Sequence, residues 1–420
     1  MTARRATGDT DNSPGLFNSL RYPGAKRYFA GLAASMVGTW MQSIALSWMI
    51  VKVLGGGGRE LGLVTVFQFG PMLVLGLYAG GLSDRMDKRK LMFVTQFFMG
   101  GAALLLAFVD FTGRESLGLV YALSAVSGLA SAFDTPVRRS MIGDIVPKAA
   151  VPNAMSLNTG VMTSTRVLGM AVGGYVVRYA GTEWCFLING VSYLAMMFAL
   201  YGLGHRSHAT RASAADGGVR SALVHVWRNP ELRLVMVATS VVATLTFNYQ
   251  TTFPLLVKNV FDHGADSLGS LFAMTGAGSF LGALFSARRR QPSVGVFLCG
   301  VALMGAGACL LSVAGSYAVG LAMALPLGIG GGLLMSQMSG LLTSRSASSM
   351  RGRVLALQSV VFLGSTPIGG PLVGVIADHA GPRWATATGG IGGLLAGVVG
   401  VVVWRQLRVA TGRYPVLAAD

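Results

Sequence analysis

Charge is scarce in this sequence: only 12% of its 420 residues are Asp, Glu, Lys or Arg. A soluble domain carries about 25%, so a water-exposed globular fold is excluded. Cysteine is nearly absent. Cys185, Cys299 and Cys309 fall in or beside apolar runs, without the spacing of a disulfide framework or a metal site. The five histidines lie in loops or at ends, again without metal-ligand spacing. No G-x-x-x-x-G-K-[ST] segment occurs, and "LGGGG" at 54–58 has no lysine to reach a phosphate. ATP-driven transport and catalysis are unsupported, and no cofactor or metal is expected. The first 27 residues are polar and lack the short apolar core of a cleavable signal, so the first apolar run is expected to direct insertion itself.

Hydrocarbon, by contrast, is abundant. Apolar residues make up 52% of the chain, and the mean hydropathy is +0.59. Twelve runs of membrane-crossing length occur, at 28–53, 60–82, 91–110, 118–137, 154–177, 184–203, 232–257, 267–287, 293–314, 317–342, 354–377 and 383–404. In lipid a backbone must satisfy its own hydrogen bonds, which runs of this kind do as helices. The expected fold is all-α: a polytopic membrane protein of 12 transmembrane helices in two pseudo-symmetric six-helix bundles.

The formal net charge of +17 is distributed one-sidedly. With the N-terminus in the cytoplasm, cytoplasmic segments hold 26 of the 33 Lys and Arg but only 8 of the 16 Asp and Glu. This is the positive-inside pattern, which places both termini in the cytoplasm. The basic charge reports topology, and no nucleic-acid or nucleotide partner is expected.

The longest polar interval, 204–231, separates six runs from six. The expected organisation is a tail (1–27), a first bundle (28–203), a linker (204–231) with a surface helix near 219–229, a second bundle (232–404) and a tail (405–420). An offset of 200 residues relates the halves: "AGTEW" at 180–184 answers "AGPRW" at 380–384, and Gly169 and Gly174 recur as Gly369 and Gly374. Paired six-helix units place a transporter's binding site at midplane between the halves.

Six charged residues crowd into "GGLSDRMDKRKLM", 80–92, between the second and third runs. The stretch resembles the signature of the major facilitator superfamily at Gly80, Asp84, Arg85, Lys88 and Arg89, with Asp87 where that family has Gly. The resemblance implies a cytoplasmic latch. Asp84 would accept hydrogen bonds at the start of the eleventh span, "RGRVLALQ", and Lys88 would pair with Asp134 at the end of the fourth. "FDTPVRRSMIGDIVP", with the segment through Gly169, and "RGRVLALQSVVFLGSTPIGGPLVG" resemble bacterial exporters of the enterobactin-exporter and macrolide-efflux type. "RVLGMAVGG" at 166–174 is similar to the span-five motif of the antiporters, with Met170 in place of Pro. "DTP" at 134–136 also reads as a helix restart.

An intramembrane charge is a candidate for function. Arg166 reads as an anchor for an anionic or carbonyl-rich substrate, or as a bond between helices. Gln42, Asn248, Tyr249, Gln250, Gln337 and Gln358 are expected to face a central cavity, walled by Trp40, Met41, Phe247 and Phe253. Gly169, Gly173, Gly174, Pro367 and Pro371 are expected to bend or closely pack their helices. The resemblance implies export of a bulky, partly apolar small molecule by alternating access across the bacterial inner membrane, with proton antiport. A lysophospholipid flippase, a uniporter and a non-transporting sensor are the competing readings.

Overall fold

A computed structural model describes residues 17–83, 86–201, 219–289, 291–347 and 350–410. The helices are α1 (Pro23–Trp48), α2 (Gly58–Ser83), α3 (Lys88–Phe111), α4 (Leu117–Ile145), α5 (Val151–Tyr179), α6 (Thr182–Tyr201) and α7 (Val219–Arg228). They continue as α8 (Pro230–Leu245), α9 (Tyr249–Asn259), α10 (Ala265–Ala287), α11 (Val294–Ser312), α12 (Tyr317–Arg345), α13 (Arg351–Ala380) and α14 (Pro382–Ala410). Among the described residues, ten segments are long and apolar enough to cross a membrane, α8 and α9 counting as one. With α2 and α5 they make twelve spans. α5 is the most polar of them, with Asn153, Ser156, Asn158, Thr159, Thr163, Ser164, Thr165 and Arg166 along its first half.

Local chemistry sets the helix starts. Ser116 and Ser316, 200 positions apart, accept from the third backbone N–H of α4 and α12 respectively. Gly181 (φ 109°) and Gly381 (φ 94°) make the "AGTEW" and "AGPRW" turns, where positive φ excludes a β-carbon at little cost only for glycine. The repeated turns thus follow from repeated geometry. Asp87 sits at φ −63°, in no strained region, and its carboxylate accepts from Arg89 N (2.9 Å) and Lys90 N (3.2 Å). Where the family signature has Gly, this chain caps α3. Asp87→Ala is expected to cost about 1 kcal/mol, read as a small fall in melting temperature with transport retained.

α1–α6 pack together, as do α8–α14, and the halves meet along two seams, α2 with α13 and α5 with α10. We call the membrane face nearest residues 17–22 the tail side and the opposite face the far side. α2 and α10 begin on the far side, where α5 and α13 end.

Three expectations are corrected. The seventh span is not one helix: it breaks between α8 and α9 at residues 246–248. There the Asn248 side chain takes the Thr244 carbonyl (2.7 Å) in place of a backbone N–H, and Thr246 Oγ1 donates to the Gly389 carbonyl of α14 (2.7 Å). "DTP" does not restart a helix, since α4 runs through Pro136. Lys88 does not pair with Asp134. Its Nζ bonds Asp144 at 2.8 Å, because Asp144 lies at the tail end of α4, level with the start of α3.

Candidate functional site

Among the described residues, the charged side chains deep within the spans include a buried pair and an exposed cation. Asp134, 2% exposed, pairs with Arg138 one turn on and accepts from Thr95 Oγ1 (3.0 Å) and Gln96 Nε2 (2.8 Å) of α3. Tyr28 of α1 donates to the Arg138 carbonyl (3.2 Å). The cluster therefore fastens α1, α3 and α4 inside the first half. It does not form a latch between halves.

Arg166 is different. It is exposed on α5, its guanidinium lies 5.2 Å from the Trp40 ring centroid, and Tyr249 lies within its electrostatic reach from the other half. Ser156, Thr159 and Thr163 are exposed on the same face. Each donates to the carbonyl four residues back, leaving oxygen lone pairs outward. A guanidinium facing hydrocarbon costs about 2.5–3.5 kcal/mol on insertion scales, which favours water over lipid beside this hydroxyl-and-arginine face. The opposite face of α5 is apolar, with Leu168, Val172 and Tyr175 exposed on it, and suits lipid. The helical spacing of Ser156, Thr159, Thr163 and Arg166 is legible in the sequence, though only Arg166 stands out there by its charge.

Toward the far side, one turn beyond Trp40, a small pocket is lined by Ser43, Ser47, Thr65, Gln68 and Gln250, among others. Gln250 Nε2 donates to Ser43 Oγ across the two halves (3.0 Å). Beside it runs a chain of rings, Phe362, Phe247, Tyr249, Phe253 and Phe272, with successive centroids 4.9–5.5 Å apart. This chain crosses the α8/α9 break from α13 to α10. Broken helices occur where irregular backbone lines a cavity in transporters.

The other expected residues sort as follows. Gln42 accepts from Asn189 Nδ2 (2.6 Å) and bonds α1 to α6. Gln337 is 2% exposed, held by Ser286 Oγ and Ser293 N (both 2.7 Å), so it ties α10 and α11 to α12 and lines no cavity. Asn248, 3% exposed, is spent on the helix break. Gln358 is half-buried and reaches Ser339 Oγ (3.3 Å). Gly169 and Gly173 pack on α1 at Val37, Trp40 and Met41, and Gly174 packs on α10. α5 remains continuous through these glycines, and α13 through Pro367 and Pro371. Arg89 Nη2 donates to the Tyr201 carbonyl (2.6 Å). Of the expected latch, Asp84 and Arg85 lie outside the described residues, and Gly80 falls in the last turns of α2.

Two six-helix halves that meet along two seams, with a broken seventh span, define a membrane transporter of the major facilitator superfamily. The chain belongs to its transmembrane secretion effector family, whose model matches residues 23–411. It is 25% identical to the multidrug efflux pump Tap of Mycobacterium tuberculosis over 87% of this chain and 89% of that one. It is 23% identical to the staphyloferrin A transporter of Staphylococcus aureus over 67% and 72%. In fold it is similar to a bacterial homologue of the lysosomal transporter Spinster in an inward-facing, unoccupied conformation (TM-score 0.68, 14% identity, 93% of this chain and 98% of that one). A D-xylose–proton symporter is similar at TM-score 0.72 and 14% identity, over 90% and 97%.

Proposed function

We propose that the protein exports an amphipathic small molecule carrying an anionic group, by alternating access coupled to proton entry. The observation that carries this reading is Arg166. It is a cation exposed on a water-lined helix face, seated over an aromatic ring, and no carboxylate pairs with it among the described residues. A substrate carboxylate, phosphate or enolate would complete the pair, and the half-buried rings of Phe247 and Phe362, backed by the buried Tyr249, Phe253 and Phe272, would take its apolar body. One relative is named a multidrug efflux pump, which supports export, and another is named a staphyloferrin A transporter, which supports a small-molecule substrate. The one-sided Lys and Arg support a cytoplasmic tail side, with residues 28–203 and 232–404 as the moving halves.

Proton antiport needs a group that gains and loses a proton. Among the described residues Asp134 is the one fully buried carboxylate, and its ties to α1 and α3 would change with its charge. The experiment uses proteoliposomes holding a panel of fluorescent amphiphiles, anionic, neutral and cationic, with and without an imposed pH gradient. Anionic members are expected to move against their gradient only when protons run the other way. In Asp134→Asn, uphill movement should vanish while downhill exchange persists. Equal handling of all three charge classes would refute the substrate assignment, and undiminished uphill export in Asp134→Asn would refute the coupling.

A further inference from the structure

On the far side, a carboxylate of one half sits on a helix start of the other. Asp378, near the end of α13, accepts from Gly58 N (2.6 Å) and Arg59 N (2.9 Å), the first two backbone donors of α2. Those N–H groups have no partner within their own helix, and the helix dipole places partial positive charge there. Arg59 closes around the same group, its Nε 3.8 Å from Asp378 Oδ2 and its Nη2 2.7 Å from His379 Nε2. Gly58 and Gly374 stack backbone on backbone beneath it, with no room for a β-carbon on either.

The second seam repeats the plan with the charges exchanged. The internal offset of 200 carries Asp378 onto Arg178, near the end of α5. Arg59 is the second residue of α2, and the second residue of α10 is Asp266. Arg178 Nη1 lies 3.8 Å from Asp266 Oδ1, and Gly174 packs on Ala265 and Gly269 as Gly374 packs on Gly58. A third tie, from Lys258 of α9 to the Val51 carbonyl in the π turn that ends α1, joins the halves at the same face.

We infer that Arg59–Asp378 and Arg178–Asp266 are a charge-inverted pair of clasps that hold the far side shut, and that both must open for release. The two are unequal. Asp378 holds two backbone N–H groups through charge-assisted bonds that need no flexible partner, whereas Arg178 and Asp266 form only a long, exposed ion pair, a weak kind of contact. The α2/α13 clasp is therefore the main one, and the α5/α10 clasp yields first. Asp378 acts here as a positioning residue; it touches no substrate. The role in release rests on the alternating-access reading above, but the clasp itself is measurable without any substrate.

The test is pulsed spin-label distance measurement on the full chain in nanodiscs, with Cys185→Ala, Cys299→Ser and Cys309→Ser as background. Labels go at Arg114→Cys and Gly315→Cys, in the far-side loops of the two halves. The unaltered clasps are expected to give one short distance. Asp378→Asn should raise the population with a long distance about tenfold, the shift of roughly 1.4 kcal/mol that one lost charge-assisted bond explains. Arg178→Asp should raise it less, and the exchange Arg178→Asp with Asp266→Arg should restore the short distance. A merely structural role would lower the melting temperature without lengthening the distance and without rescue by the exchange, and that result overturns the inference. Should Asp378→Asn fail to fold, the Arg178/Asp266 exchange alone still decides it. Loss of transport of every probe with the distance shift intact would count against the substrate reading and leave the clasps standing.

Discussion

Arg166→Ala is expected to weaken binding of an anionic substrate about 10- to 100-fold, because a hydrogen bond to a charged group contributes about 1.5–3 kcal/mol. A neutral analogue of the same shape should lose little, since the Phe247 and Phe362 rings proposed to hold its body are untouched. Arg166→Lys should fall between the two. It keeps the charge but loses the flat guanidinium that lies over Trp40. Trp40→Leu should likewise reduce affinity, as the indole both orients the arginine and supplies a cation–π contact of about 0.5–2 kcal/mol. Isothermal titration of purified protein with the anionic and neutral members of one probe series checks all three. Equal losses for both members in Arg166→Ala would show that the arginine supports the helices and does not recognise charge.

Arg138→Met is expected to be the most destabilising single change. It would strand Asp134, 2% exposed, with only Thr95 and Gln96 to hold its charge. Removing one partner of a buried ion pair costs about 3–5 kcal/mol, whereas replacing both by apolar groups is often neutral. The double variant Arg138→Met with Asp134→Leu should therefore recover most of the loss. Thermal unfolding in detergent, followed by tryptophan fluorescence, separates the two outcomes. If the double variant is as unstable as Arg138→Met, the pair's surroundings at Tyr28 and α3 carry the stability instead.

How much of this was legible in the sequence depended on what each feature needs. Twelve spans follow from run length, and the halving follows from the 200-residue offset, because both are properties of consecutive residues. The α3 cap at Asp87 was equally local, yet it was hidden by comparison with a family that has Gly there. Partner choice was not local. The fourth apolar run ends near residue 137, which on sequence alone sets Asp134 level with Lys88. The helix runs on to Ile145, which puts Asp134 roughly 15 Å deeper than the tail end at 1.5 Å per residue and leaves Asp144 level with Lys88. Gln337 shows the same limit: nothing in the sequence tells a glutamine that faces a cavity from one that binds Ser286 and Ser293 of its own half. The break in the seventh span does have a signal, the polar "TFNYQTTF", but part of that polarity is spent on the break, Asn248 on the Thr244 carbonyl and Thr246 on α14. The far-side charges were individually visible and paired only once α2 met α13 and α5 met α10.

The central claim is that α5 turns a polar face toward an aqueous chamber between two halves. Single cysteines at Ser156, Thr159 and Thr163, and at Leu168 and Val172, in a cysteine-free background, test it most directly with a membrane-impermeant maleimide supplied from the cytoplasmic side. The account predicts rapid labelling at the first three positions, slowed by a bound anionic probe, and none at the last two. Equal resistance at all five, or labelling that follows no helical period, would contradict it.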